Sequence, residues 1–324
     1  MDKSAIIITG SSGEIGKNLI NYFTLKRKSK IICIDLNNLD ETQDNLKFIR
    51  GDILDANLLD SLCNKYNIKE IYHLAAILSS KAELHPALAY KVNVIGTMNM
   101  LEIALHQYFK YNTRIKFFFP SSIAVHGYTK PTNDKISENM FCNPKTVYGQ
   151  HKLFCENLGI AYDNYGNYLN SKIDFRSIRF PGIISANSVP SGGTSDYIPE
   201  MIHKGLKGSD YECFVNEDSL LPFIVMPDAI NAIINLMNMN KKKLSRNVYS
   251  ITAFSPSIKE VYNKINNLNA SFKLTYKINQ MRQSIINTWP RFIDDTQSKK
   301  DWDWQPKYNL DDAFSKYLIP SLRI

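Results

Sequence analysis

The reading of the fold turns on Ala5-Ile6-Ile7-Ile8-Thr9-Gly10-Ser11-Ser12-Gly13-Glu14-Ile15-Gly16. Ala5–Ile8 is a continuous apolar run rich in β-branched residues, which predicts a strand buried on both faces in the middle of a parallel sheet. Glycines 10, 13 and 16 follow at once. From Lys17 to Lys26, Leu19, Ile20 and Phe23 recur at a helical spacing. Strand, glycine turn and helix in that order is the context in which such a turn holds a dinucleotide. Glycine lets backbone turn tightly and come close to a ligand, and the helix N-terminus offers N–H groups and a positive dipole end to a pyrophosphate. A plain glycine-rich turn would compete on the glycines alone; after a buried strand, the nucleotide-binding reading is favoured.

Working outward, Lys30–Ile34 reads as a second buried strand ending on Asp35. An acidic residue there hydrogen-bonds the adenosine ribose and repels a 2′-phosphate. No arginine follows in Leu36-Asn37-Asn38, so NAD is favoured over NADP. Lys47–Asp52 is a third strand, placing Asp52 and Ile53 beside the adenine pocket. Glu70–Ala76 is a fourth, running into Ala75 and Ala76 where backbone must pass close to a ligand, and Ile77–Ser80 opens a loop at its carboxyl end. Helical patterns cover Ala56–Tyr66 and Pro86–Tyr108. Ile115–Phe119 is a fifth strand ending in Pro120-Ser121-Ser122. A loop over residues 127–144 precedes a helix from Lys145 to Tyr165, and Asp174–Phe180 is a sixth strand. This alternation predicts an α/β fold, a Rossmann-like doubly wound parallel sheet. Residues 1–180 form its NAD-binding domain. Residues 181–324 are mainly a smaller C-terminal substrate-binding lobe, with strands near 220–226 and 246–251 rejoining the sheet.

At 324 residues, 44% hydrophobic and 22% charged, the composition is that of a globular protein with room for two lobes. The net charge of +8 raises nucleic-acid binding, but the lysines are scattered. The runs Lys26-Arg27-Lys28 and Lys241-Lys242-Lys243 fall at predicted helix ends, where solvated cations suit the dipole. No nucleic-acid partner is expected. Cys33, Cys63, Cys142, Cys155 and Cys213 form no C-x-x-C pair, which predicts free thiols in a reducing compartment. No histidine pair has zinc spacing, so no metal is expected. No apolar run approaches the roughly 18 residues of a membrane span. The first strand starts so near Met1 that a cytoplasmic location is expected, with an organelle left open.

Tyr148 and Lys152 stand at i and i+4, neighbours on one helix face. A free tyrosine, with a pKa of about 10, is a poor base at neutral pH. An adjacent ammonium favours phenolate, and a shift of about three units needs about 4 kcal/mol. Lys152 and an oxidised nicotinamide together supply positive charge for that. Ser122, at the end of the preceding strand, is placed to hydrogen-bond the reacting oxygen while Tyr148 acts as acid or base. Alone, Tyr-x-x-x-Lys is a weak signal, equally a solvated pair.

The ordered set of glycine turn, Asp35, Ser122, Tyr148 and Lys152 resembles the extended short-chain dehydrogenase/reductase superfamily over the whole chain. Thr9-Gly10, Gly13, Gly16, His73-Leu74-Ala75-Ala76, Asn93, Ser121-Ser122 and Pro181-Gly182 carry the likeness. Within it, Phe180–Ser185, Pro190–Tyr197 and Pro222–Asp228 resemble the short-chain type of L-threonine 3-dehydrogenase. Arg282-Gln283, Trp289-Pro290, Ile293-Asp294-Asp295 and Asp301–Trp304 do so too. Ser191, Ser195 and Ala82 depart from that pattern, which touches loop geometry only. The resemblance implies NAD-dependent oxidation of L-threonine to 2-amino-3-oxobutyrate. It implies a cofactor site that also includes Glu14, Ile15, Leu74, Asn93, Tyr148, Lys152 and Pro181. It implies a substrate site of Ser79, Ser122, Tyr148, Thr194 and Trp289, and a homodimer. Trp289 is also read as a buried anchor of the lobe, and Thr194 as a loop cap. Trp302 and Trp304 are read as packing.

Two other functions compete. A nucleotide-sugar epimerase or dehydratase would use the same Tyr148 and Lys152 but needs a wide, basic pocket. A non-catalytic dinucleotide-binding protein would have no use for Ser122, Tyr148 and Lys152 together.

Overall fold

The computed structural model describes residues 4–26, 29–37, 44–128, 135–164, 173–190 and 192–322. Thirteen strands follow in chain order: β1 (Ser4–Thr9), β2 (Lys30–Asp35), β3 (Leu46–Arg50), β4 (Asn67–His73), β5 (Ile115–Ser122), β6 (Lys135–Ile136) and β7 (Ile173–Phe180), then β8 (Gly182–Ile184), β9 (Tyr211–Cys213), β10 (Phe223–Val225), β11 (Val248–Ser250), β12 (Leu274–Tyr276) and β13 (Phe292–Ile293). Seven make one all-parallel sheet in the order β11-β7-β5-β4-β1-β2-β3. The chain leaves β1 in one direction toward β2 and β3, then crosses back to β4. The switch point, where a crevice opens at the strands' carboxyl ends, therefore lies between Thr9 and its register partner His73.

Alternation along each strand sends neighbouring residues to opposite faces. Ile7, Ile32, Phe117 and Phe175 pack with Leu59, Leu101, Ala104 and Cys155 of the helices on one face. Ile6, Ile8, Tyr72, Phe118 and Ile178 pack with Leu19, Phe23, Ile233 and Trp304 on the other. Each such buried Ile or Phe stabilises the fold by about 1.5–3 kcal/mol, and so both faces of the central strands are apolar. Trp302 and Trp304 lie 5.5 Å apart in this second layer, where Trp304 Nε1–H donates to Asp295. They are packing residues.

The structure differs from the sequence reading in four places. Only Val248–Ser250 joins the sheet. Phe223–Val225 pairs instead with Gly182–Ile184 in a separate parallel ribbon, because a Cβ on Gly182 would fall 2.4 Å from the Phe223 ring and only glycine admits that contact. A helix at Tyr197–Leu206 follows directly from the glycine-rich loop. The stretch read as a loop over residues 127–144 supplies β6, which pairs with β13, and Tyr128 N–H donates to Thr288 O. Lys241 is not simply solvated: its ammonium pairs with Asp163 at 2.6 Å and Asp174 at 3.5 Å. Arg27 and Lys28 lie outside the described residues.

Candidate active site

The glycine turn is built by close approach. Gly10 has a φ of +64°, and a Cβ on it would fall 2.6 Å from the backbone N of Ala75. A Cβ on Gly16 would fall 2.6 Å from the carbonyl oxygens of Gly10 and Ser11. The helix Glu14–Lys26 thereby starts against the end of β1, with Gly13 exposed at its entrance. Asp35 sits at the end of β2; its Oδ2 accepts the Ser12 N–H at 3.0 Å and its Oδ1 the Asn37 N–H at 3.0 Å. Each carboxylate oxygen keeps a lone pair for a further donor. Asp52 Oδ1 accepts Leu54 N–H, and Ile53 is buried against Gly96, where a Cβ would lie 2.4 Å from its Cδ1. A glycine turn of close-approaching backbone at a helix start, with a carboxylate at the neighbouring strand end, fits a dinucleotide.

Glu14 opens the helix beside Ser185 and the carboxylate of Asp196, and burial pushes its carboxyl up to about 7. His73 is fully enclosed and burial drives it down to about 3, so it is neutral. Thr9 Oγ1 lies 2.8 Å from its Nδ1 and Thr97 Oγ1 3.0 Å from its Nε2. Thr97 donates its own proton to Asn93 O. Nε2 must then carry the ring proton, and Thr9 donates to Nδ1. Asn93 sits in a π-helical turn, Lys91–Ile95, and its amide grips Ile77 from both sides, accepting its N–H at 2.7 Å and donating to its O at 3.0 Å. That clamp fixes the backbone of Leu74–Ile77 over the switch point.

Tyr148 and Lys152 lie near the start of the helix Val147–Asn164 and are both buried. A Cβ on Gly149 would fall 2.2 Å from Ala124 O. The Tyr-Gly pair thus lets the helix press against the turn that follows Ser122. Ser122 Oγ accepts Ala124 N–H at 3.1 Å, which leaves its own proton free to donate. Lys152 Nζ donates to Pro120 O at 2.7 Å and stands 4.5 Å over the Phe119 ring and 5.5 Å over the Tyr148 ring. Burial lowers its pKa to about 8. Burial raises the Tyr148 phenol well above its usual value. Lys152 by itself therefore does not bring the phenol down. In this state the ammonium is spent on Pro120 O and the Phe119 ring, and desolvation outweighs it.

Ser79 Oγ lies 2.9 Å and Ser80 Oγ 3.3 Å from Thr194 Oγ1, and Thr194 N–H donates to Ser79 Oγ at 3.2 Å. Thr194 is fully buried. The loop before it is held by Asp196, whose Oδ2 accepts both Gly192 and Gly193 N–H, and by Arg282, which donates to Gly192 O at 2.9 Å. Trp289 is buried in the same apolar cluster as Tyr148, Ala82 and Ile198, and its Nε1–H has no acceptor among the described residues. Pro181, also buried, leads from β7 into β8. Among the described residues no group of three His, Cys, Asp or Glu side chains could hold a metal ion, and no helix is long and apolar enough to cross a membrane.

Comparison with known proteins gives the family. A family model described as GDP-mannose 4,6 dehydratase matches residues 7–317. The mitochondrial L-threonine 3-dehydrogenase of Bos taurus is 32% identical over 98% of this chain and 82% of its own length. An L-threonine 3-dehydrogenase from a metagenome, described as monomeric, has a structure with a TM-score of 0.87 at 37% identity, covering 98% of each chain. The chain belongs to the L-threonine 3-dehydrogenases of the extended short-chain dehydrogenase/reductase type. It is an oxidoreductase of that family. An uncharacterized epimerase/dehydratase of Staphylococcus saprophyticus is also 33% identical, over 98% of this chain and 96% of its own length.

For this dehydrogenase family member, the sequence reading missed the residues that set the site from behind. Thr9 and His73 stood in recognised motifs, yet their bond across β1 and β4 needs the sheet register. Glu83 had no signal at all. Its carboxylate accepts Val147 N–H at 3.1 Å and Tyr148 N–H at 3.0 Å, from more than sixty positions upstream. Below the site, Glu156 accepts two bonds from Arg179, at 2.9 and 2.7 Å, and one from Ser121, all buried. This network locks the Tyr148 helix onto the ends of β5 and β7.

Proposed function

We propose that this protein oxidises the β-hydroxyl of L-threonine to the ketone of 2-amino-3-oxobutyrate, using NAD. Gly10, Gly13, Glu14, Ile15 and Gly16 would hold the pyrophosphate, and Asp35 the adenosine ribose. Asp52, Ile53, Leu74, Ala75, Ala76, Asn93 and Pro181 would border the rest of the dinucleotide. NAD, when bound, supplies the acceptor for the hydrogen leaving carbon. Ser122 donates its free proton to the substrate oxygen and orients it. Tyr148, as the phenolate, takes the hydroxyl proton and becomes the neutral phenol, and Lys152, when protonated, is the cation that favours the phenolate before that transfer. Thr194, Ser79 and the free Nε1–H of Trp289 supply donors and acceptors for a small zwitterion. The cofactor's positive ring adds what Lys152 alone does not, so the buried phenol becomes acidic only in the loaded site.

The observation that carries the reading is the contact of Thr194 with Ser79 and Ser80. It brings three buried hydroxyls together at the short helix whose Glu83 also holds the Tyr148 backbone, and such a cluster suits a small polar substrate better than a nucleotide sugar. The names of the bovine and metagenomic relatives support it; that of the staphylococcal relative supports an epimerase or dehydratase. Product analysis tests the assignment: NADH and 2-amino-3-oxobutyrate should form in equal amounts from L-threonine. NADH without that ketone would contradict it.

A homodimer is proposed with it. Leu88, Tyr90 and Met98 of the helical run 86–111 and Phe154 of the Tyr148 helix are exposed, and Tyr90 meets His151 edge-on at 5.9 Å, which joins the two helices in one face. Light scattering should give twice the chain mass, and Phe154→Glu should return it to one. A single-chain mass for the unaltered protein would contradict the dimer.

A further inference from the structure

We propose that Glu83 is a positioning residue that ties the seating of the Gly192–Thr194 loop to the backbone of Tyr148. The inference rests on the reading of Tyr148 as the acid–base group. The first N–H groups of any helix lack partners within it. In the Tyr148 helix, Thr146 takes care of one, its Oγ1 accepting Gly149 N–H at 3.1 Å. The two left over, on Val147 and Tyr148, both go to the carboxylate of Glu83. A carboxylate at a helix N-terminus is favoured by the dipole, and hydrogen bonds to an ionised acceptor are the stronger kind. Local sequence would put such a cap beside the helix. Here it comes from another element.

That element is the short helix Ser79–Leu84. Its first residues, Ser79 and Ser80, bond Thr194; its fifth, Glu83, bonds the Tyr148 backbone. Between them Ala82 is fully buried in the cluster that also holds Tyr148 and Trp289. Upstream, Asn93 pins Ile77. The helix is one turn and a half of rigid backbone with the loop at one end and the tyrosine at the other. When the loop lets go of Ser79, the short helix loses one anchor, and the amide it holds at Tyr148 loosens with it.

The test is amide hydrogen exchange with steady-state kinetics on the full chain, for Glu83→Gln, Glu83→Ala, Thr194→Val and Glu83→Gln with Thr194→Val. Glu83→Gln keeps the size and one acceptor but turns an NH2 toward the second amide. Exchange at Val147 and Tyr148 should quicken about tenfold in both Glu83 variants, while that at Cys155–Gly159 holds. The turnover of threonine should fall about tenfold or more, since a misplacement of about 1 Å costs up to about a hundredfold. NAD affinity without threonine should stay within about twofold of the unaltered protein. Thr194→Val should also quicken exchange at Tyr148, and the double variant should be little slower than the slower single one. Unchanged exchange at Val147 and Tyr148, or normal turnover despite a lowered Tm, overturns the positioning role. Turnover losses that simply multiply, with exchange in Thr194→Val unmoved, overturn the link to the loop. If the unaltered protein reduces no NAD with threonine, the substrate reading fails instead, and the exchange measurements still decide the role of Glu83.

Discussion

The hydroxyl of Ser79 lies 2.9 Å from that of Thr194, a contact across 115 positions of sequence that joins the short helix after β4 to the segment before the Tyr197 helix. Thr194→Val keeps the shape and removes the hydroxyl. It should raise the KM for threonine and lower turnover, with NAD affinity measured alone unchanged. Trp289→Phe removes a buried donor that has no acceptor among the described residues, together with part of a ring packed in the apolar cluster. Losing the unpaired donor gains about 1–3 kcal/mol, which the lost ring packing opposes by a similar amount, so the variant should show little change in Tm. It should raise the KM if substrate uses that N–H. Unchanged kinetics in Trp289→Phe would leave Trp289 as an anchor of the lobe.

Tyr148→Phe should bind NAD nearly as well as the unaltered protein and turn over at least about a hundredfold more slowly, the low end for a lost acid–base group. Turnover in the unaltered protein should rise with pH as the phenol ionises. Stopped-flow rates across pH check both, and ordinary turnover in the phenylalanine variant would remove the base.

Glu14 has its carboxyl raised from 4.5 to about 7 by burial. The folded protein thus holds a proton there that the unfolded chain releases from pH 4.5 upward. That contribution to stability is complete below 4.5 and is lost as the pH rises through 7. Glu14→Gln should therefore raise Tm at pH 8 and change it little at pH 4.5. An ionised Glu14 also repels a pyrophosphate. NAD affinity should fall between pH 6 and 8 by about threefold or more, roughly 0.7 kcal/mol, and titration calorimetry should find that fall gone in Glu14→Gln.

Asp35 already accepts two backbone N–H bonds and keeps lone pairs toward the crevice. Asp35→Ser should weaken NAD and narrow its advantage over NADP. Initial rates with each cofactor measure this, and equal use of NADP by the unaltered protein would contradict the assignment of the second strand's end.

The doubly wound sheet was legible because its strands are buried on both faces and so read as unbroken apolar runs, Ala5–Ile8 most plainly. β10 was assigned to the sheet wrongly because Phe223–Val225 has the same apolar character as a sheet strand. Its actual partner is chosen by the glycine at position 182, a fact about space and not about composition. Gly10, Asp35, Tyr148 and Lys152 could be picked out since each belongs to a motif with local spacing. Glu83 could not, since its partners are amides that any sequence has. The state of Tyr148 was legible only in part. Spacing puts Lys152 beside it, but only the fold shows that the ammonium goes to Pro120 O and that burial dominates.

The most direct measurement is NADH formation by absorbance with the purified chain, L-threonine and UDP-sugars being supplied side by side. The account predicts steady NADH formation with L-threonine and none with the UDP-sugars, and loss of the threonine rate in Tyr148→Phe. Turnover of a UDP-sugar with no response to L-threonine would contradict it.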